Sequence, residues 1–207
     1  MAEGESLYRR SCLVVGAGAT GCEVARCLAR DSSGVSIWDE DATKRTAAEA
    51  ALEGDGIHVL APEELPSALE ATQVLVGCTG RVWLHAEQIL LLPRGCILVN
   101  ASSKRLEIDW EDVAELSVGP QPESSAVARI ELSNGNIVNV VANGMPVNFF
   151  DSESVNETDI QFIYGLLLAG AFLIAHGEYG PGIHPVPQLI QDALRTHMET
   201  DVWRGGM

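Results

Sequence analysis

Short apolar runs alternate with helical patterns along the first half of the chain. The runs fall at Cys12–Val15, near Val35–Trp38, and at Ile57–Leu60, Gln73–Gly77 and Cys96–Asn100. Each is brief and aliphatic and is bounded by polar or turn-forming residues, so each reads as a strand. Between them, segments near Thr20–Arg30, Ala42–Glu53, Glu63–Glu70 and Leu84–Leu91 carry apolar residues at helical spacing. Alternation of this kind is the signature of βαβ units and a parallel sheet. Each crossover is short enough to be the usual right-handed one. The pattern predicts an α/β chain with a doubly wound, mostly parallel sheet and helices on both faces.

After Asn100 the pattern changes. Ala128–Leu132 and Ile137–Ala142 flank Ser133-Asn134-Gly135-Asn136, and Asn-Gly between apolar runs signals a hairpin, hence an antiparallel extension of the sheet. Asp159–His176 is rich in Leu, Ile, Phe and Ala, but Gln161 and Tyr164 interrupt it and the apolar run falls short of the ~18–20 residues that span a bilayer. It reads as a buried or interface helix, which is costly to leave exposed and so favours a homo-oligomer or packing on the sheet. A last helix follows Pro185 and Pro187 to about Met198. The expected organisation is a lead (1–11), a single domain (12–200) and a flexible tail (201–207).

Composition narrows the function classes. With 29 acidic against 13 basic residues the net charge is −16, which repels phosphate backbones and anionic lipid surfaces, so neither nucleic acid nor membrane is an expected partner. The N-terminus carries acidic residues ahead of its apolar stretch and has no cleavage-site pattern, and the expected compartment is the cytoplasm. Cys12, Cys22, Cys27, Cys78 and Cys96 form no C-x-x-C pair or zinc spacing and are expected to be reduced packing residues.

The chemistry begins at Gly16-Ala17-Gly18-Ala19-Thr20-Gly21. This loop follows the apolar strand Leu13-Val14-Val15 and opens a helix, the context that a G-x-G-x-x-G nucleotide-binding fingerprint requires. Gly16 permits the tight turn, Gly18 lets the backbone approach a pyrophosphate, and Gly21 lets helix and strand pack closely, while the helix N-terminus offers N–H groups to the anion. The doubly wound sheet is thereby a Rossmann-type sheet. Asp39 lies at the end of the second strand, eighteen positions past Gly21, where a carboxylate accepts bonds from both adenosine ribose hydroxyls. A 2′-phosphate would meet like charge from Asp39, Glu40 and Asp41, so the expected cofactor is NAD rather than NADP. Glu40 also lies at this edge, and for Glu40 and Asp41 solvation and capping of the next helix are the preferred reading. Two further loops follow strand ends, Cys78-Thr79-Gly80-Arg81 and Asn100-Ala101-Ser102-Ser103. There Thr79 either bonds a ribose or phosphate oxygen or satisfies its own turn, and Asn100 either bonds a carboxamide or does the same.

From about Cys12 to Met198 these residues resemble the NAD-binding domain of S-adenosylhomocysteine hydrolase. The resemblance is carried by the glycine loop with Asp39, by Cys78-Thr79-Gly80, and by Ile97-Leu98-Val99-Asn100 followed by Leu106-Glu107-Ile108-Asp109. It continues through Asn134-Gly135 and Ala142-Asn143-Gly144-Met145-Pro146-Val147-Asn148 to Tyr179-Gly180-Pro181-Gly182-Ile183-His184 with Pro187. It implies a nicotinamide near Thr79, Gly80 and Asn100, and chemistry in which a nucleoside 3′-hydroxyl is transiently oxidised before an elimination. The chain departs from the family at several places. Only about eleven residues precede Cys12, where the family carries its substrate-binding domain. Ser102-Ser103 stand where the family has Gly-His, and Phe149-Phe150-Asp151-Ser152-Glu153-Ser154 where it has Gly-His-Pro-Ser. The family's C-terminal Lys-and-Tyr arm is expected to have no counterpart.

The expected function is that of the cofactor-bearing part of an NAD-dependent enzyme acting on a nucleoside-like or other alcohol, completed by a partner protein or a symmetry mate. The alternative is a non-catalytic NAD-sensing or scaffolding module. Lys104 and Arg105 are candidates to grip an anion, or are solvated. Asp151 and Glu153 are the acid/base candidates, because the resemblance puts their loop near the substrate. The five histidines show no nucleophile at recognisable spacing and are expected to be mostly structural. No metal site is expected.

Overall fold

A computed structural model of the chain describes residues 9–119, 126–147, 150, 157–177 and 179–202. The stretch expected as one domain comprises two compact units, Met1–Asp151 and Ser152–Met207.

The first unit is built on a seven-stranded sheet of order β3-β2-β1-β4-β5-β7-β6. β1 (Ser11–Val15) lies between β2 (Gly34–Trp38) and β4 (Val74–Gly77), parallel to both. β3 (Ile57–Val59) continues the sheet beyond β2, and β5 (Cys96–Asn100) beyond β4, again in parallel. Strand order therefore runs outward in opposite directions from the β1–β4 pair, which leaves a crevice at the carboxyl ends of those strands. β7 (Ile137–Val141) pairs in parallel with β5, and β6 (Val127–Glu131) pairs antiparallel with β7 at the edge. The hairpin read from Asn134-Gly135 is thus present, with Gly135 at φ +79° in its turn.

β1 shows why the inner strands read as unbroken apolar runs. Leu13 and Val15 join one core cluster and Cys12 and Val14 the other, on opposite faces of the sheet. α1 (Ala19–Ala29) and α2 (Ala42–Ala51) contribute Cys22, Ala25 and Ala48 to the second cluster, with Val35, Ile37, Val74 and Val76. α3 (Leu65–Ala71), α4 (Ala86–Leu91) and α5 (Trp110–Leu116) contribute Leu69, Ile89 and Val113 to the first, which extends to Ile130, Val138 and Val140 of the hairpin. Each buried aliphatic side chain of this kind stabilises the fold by about 1.5–3 kcal/mol.

Several elements differ from the sequence pattern. The helix expected at Glu63–Glu70 begins as a 3-10 turn, Pro62–Glu64, in which Glu64 accepts the Ala61 N–H at 2.8 Å, and becomes α-helical only at Leu65. Leu84 does not open a helix; it bridges to Ile108 in parallel, so α4 starts at Ala86. α5 is an additional helix, capped by the Asp109 carboxylate on the N–H groups of Glu111 and Asp112. All five cysteines are free. Cys12, Cys22 and Cys96 are buried, and burial pushes the Cys96 thiol up to about 12. Cys27 is exposed, so the expectation of five packing residues holds for only part of the set.

In the second unit, α6 (Glu157–Ala175) and α7 (Gln188–Val202) pack together, with Gly165 of α6 against the Leu194 side chain. Leu167, Leu168, Phe172 and Ile174 of α6 are exposed. Among the described residues no helix is long and apolar enough to cross a membrane.

Candidate functional site

The glycine loop is shaped by backbone meeting backbone. Gly16 has φ +105° and donates its N–H to the Trp38 carbonyl at 2.7 Å. An added Cβ there would lie 2.7 Å from the Cys78 carbonyl carbon and oxygen. A Cβ on Gly21 would lie 1.7 Å from the Gly16 oxygen, so α1 can approach β1 this closely only through a glycine. Gly18 is different. It is the N-cap of α1 in extended conformation, and a Cβ there would meet nothing within 4 Å. Open space therefore faces the first turn of α1, formed by Ala19, Thr20 and Gly21. The first N–H groups of a helix have no carbonyl partner within it and carry the positive end of its dipole. The residues present fit a pyrophosphate.

Asp39 closes the other side of the loop. It is only 4% exposed, and its Oδ2 accepts the Ala17 N–H at 2.9 Å while Oδ1 accepts the Asp41 N–H at 3.0 Å. Both oxygens are thus fixed, and each keeps a lone pair that a ribose hydroxyl can use. Lys44 Nζ lies 3.7 Å from Oδ2. Arg45 bonds the main-chain oxygens of Asp39 and Glu40, at 2.7 and 3.0 Å. The Glu40 carboxylate pairs with the Arg81 guanidinium, linking the ends of β2 and β4. Asp41 caps α2, and its bonds from the Thr43 hydroxyl and N–H hold its carboxyl below the usual carboxylate range. A cavity of about 220 Å³ opens beside Asp39, lined also by Trp38, Glu40, Thr79, Arg81 and Trp83. The indole N–H groups of Trp38 and Trp83 are buried with no acceptor among the described residues.

At the ends of β4 and β5 the polar groups turn on one another. Asn100 is 2% exposed; its amide N–H groups donate to the carbonyls of Lys104 and Gly144, and its oxygen accepts the Ser102 N–H and hydroxyl. All four hydrogen-bonding positions of the side chain are engaged within the protein. Ala101 donates its N–H to the Gly77 carbonyl. Thr79 bonds within its own turn, through Arg81, and also reaches Glu107. Cys78, beside this turn, has its thiol pushed up to about 12, by burial first and by the charge of Glu107 second. Lys104 is exposed, whereas the Arg105 guanidinium lies 3.8 Å over the Trp110 ring and its Nε donates to the Asn143 carbonyl.

Asp151 and Glu153 lie outside the described residues. His85 Nδ1 lies 3.2 Å from Asp109 and 3.5 Å from Asp112, on the exposed start of α4. His58 meets Glu64, and His176 and His184 meet main-chain carbonyls.

The residue that sequence reasoning missed as a site residue is Glu107. It is 3% exposed and its carboxylate takes the Gly80 N–H at 2.6 Å and the Thr79 hydroxyl at 2.8 Å. The available signal was a single charge between Leu106 and Ile108, since an acid in an apolar run is buried only when bonded.

No protein-family model matches the chain. An uncharacterized protein of Mycobacterium tuberculosis (strain H37Rv) is 27% identical over 195 residues, 92% of this chain and 35% of that protein. The adenosylhomocysteinase of Thermoplasma acidophilum is 24% identical over 181 residues, 86% of this chain and 42% of the enzyme. That of Thermotoga maritima is 26% identical over 188 residues, 89% and 45%. The chain spans less than half the length of each of these relatives. Among solved structures, a dipicolinate synthase from Bacillus halodurans is similar with a TM-score of 0.47 and 16% identity, over 54% of this chain and 37% of that one. The strand order and the glycine loop together make the chain's architecture a Rossmann-type α/β fold, the kind that carries dinucleotide cofactors.

Proposed function

We propose that the chain binds NAD(H) across the carboxyl ends of β2, β1, β4 and β5. The observation that carries this is the pairing of open space before Gly18 with the Asp39 carboxylate bonded into the same loop. The adenosine ribose would be held by Asp39, with Glu40 at its edge, and the pyrophosphate by Gly16, Gly18, Ala19, Thr20 and Gly21. The second nucleotide would lie beside Cys78, Thr79 and Gly80 and the Asn100-Ala101-Ser102 turn. A buried carboxylate at the ribose edge disfavours a 2′-phosphate, hence NAD over NADP.

In this reading the chain is the cofactor-bearing part of an NAD-dependent enzyme. NAD supplies hydride acceptance from a carbinol. The substrate is a nucleoside-like or other alcohol, in keeping with the adenosylhomocysteinases among the relatives. A partner protein, or a second copy in a homo-oligomer, completes the site and covers the exposed apolar face of α6. A non-catalytic NAD-sensing or scaffolding module is the second reading. It is favoured by the inward-turned polar groups of the β5 loop, where the Asn100 amide has every donor and acceptor engaged within the protein.

Thermal unfolding tests the cofactor. With ligand at about a hundred times its dissociation constant, NAD or NADH should raise Tm by roughly 5–11 °C, equivalent to about 2.7 kcal/mol in a chain of this size. NADP should give no shift, and Asp39→Ala should abolish the response. Absence of any shift with NAD and NADH would overturn the reading. NAD reduction with nucleosides, with and without a partner protein, then separates the enzyme from the module.

A further inference from the structure

Resting on the proposed dinucleotide site, we propose that Glu107 makes the crevice selective for the oxidised dinucleotide, by placing a buried, uncompensated negative charge beneath the turn over which the second nucleotide lies.

The proposed anchoring points set the direction that nucleotide would take. Asp39 ends β2 and the glycine loop follows β1, so a dinucleotide anchored at these two points continues in the same direction, over β4 and β5. The turn that follows β4 is held by one buried side chain. Glu107 follows the β5 loop in sequence and reaches back to the β4 turn, where Oε1 accepts the Gly80 N–H at 2.6 Å and Oε2 accepts the Thr79 hydroxyl at 2.8 Å. Its main-chain oxygen accepts the N–H groups of Trp83 and Leu84, so Glu107 bonds both ends of the 79–84 segment. Gly77 leaves the room that Glu107 occupies: a Cβ on Gly77 would lie 2.6–2.9 Å from the Glu107 side chain.

The charge of this group is what sets it apart. Among the described residues no Lys, Arg or His lies within ion-pair distance of Glu107, whereas Asp39 has Lys44 and Glu40 has Arg81. A buried carboxylate is normally paired, because desolvation is costly and two neutral donors offset only part of it. The oxidised nicotinamide ring carries a positive charge that the reduced ring lacks. An unpaired carboxylate shielded from water therefore stabilises the oxidised form selectively, at a distance where an exposed charge would be screened.

The test measures dissociation constants of NAD, NADH and ADP-ribose for the wild-type chain and for Glu107→Gln and Glu107→Asp, with Tm of each as the folding control. The wild type should bind NAD more tightly than NADH. Glu107→Gln, which keeps the shape and loses the charge, should reduce the NAD-to-NADH affinity ratio roughly tenfold, the size expected for one charge acting at short range in a partly buried site. Glu107→Asp should retain the ratio, even where it weakens both ligands. ADP-ribose affinity should be similar in all three, because that ligand lacks the ring. A merely structural role would weaken NAD and NADH together and leave the ratio unmoved, and that result overturns the proposal. So does a wild type with equal affinity for the two. Failure of ADP-ribose and NAD alike to bind removes the dinucleotide site itself, and the selectivity with it.

Discussion

The two halves of the crevice are built in opposite ways. At the ends of β1 and β2 the protein withdraws matter: glycines bring backbone against backbone, space is left open before Gly18, and one carboxylate stands at the edge. At the ends of β4 and β5 it adds polar side chains and then engages them with each other, Asn100 with Ser102, Lys104 and Gly144, and Glu107 with Thr79 and Gly80. Under the proposed function the first half would take an anion at close range, and the second would present its outer surface, rather than its side-chain ends, to the second nucleotide.

That contrast is easiest to break at Gly21. Gly21→Ala puts a Cβ 1.7 Å from the Gly16 oxygen, and only movement of α1 away from β1 relieves it. A loss of about 3 kcal/mol or more is expected, read as a Tm fall of roughly 10 °C, with nucleotide binding lost as well. A fall of one or two degrees would mean that the helix–strand contact is slack.

Asn100→Ala probes the scaffold half. It leaves the buried Gly144 carbonyl without its side-chain donor, whereas the Lys104 carbonyl keeps the Leu106 N–H, at an expected cost of about 1–3 kcal/mol. Chemical denaturation should show this as a lower midpoint with unchanged slope. An unchanged midpoint would show that water replaces the amide and that the loop is not built on Asn100.

Gly18→Ala is the smallest perturbation of the fold and the sharpest of the contrast. Its added methyl meets no protein atom within 4 Å, so stability should stay within about 0.5 kcal/mol of wild type. The NAD-induced Tm shift should nevertheless shrink, because the methyl stands where the pyrophosphate approaches the backbone. Undiminished stabilisation by NAD would place the phosphates elsewhere.

These two halves also differ in how far they are legible without coordinates. The glycine loop, Asp39 and the strands around them are local: a backbone turn that only glycine permits, an acid at the next strand end, and apolar runs that reflect burial on both faces. The hairpin around Asn134-Gly135 is legible for the same reason, since its turn chemistry sits in four consecutive residues. α5 escaped notice because seven residues are too few for a helical period to stand out, although Asp109 with Glu111 and Asp112 is an N-terminal signature. For Glu107 the local signal is only its place between Leu106 and Ile108; its side-chain partners are 27 and 28 positions away, so the spacing gives no trace of them.

The sequence by itself thus determined the class of the fold, the strand that leads into the glycine loop and the acid that follows it, because each depends on contacts within one turn or one βα unit. Only the tertiary structure decided that Asn100 spends its amide inside the protein, that Glu40 meets Arg81, and that Glu107 reaches Thr79 and Gly80. Those facts depend on which strand ends the sheet brings side by side. Pairing across a parallel sheet joins residues separated by whole crossovers, and their spacing along the chain carries no trace of it.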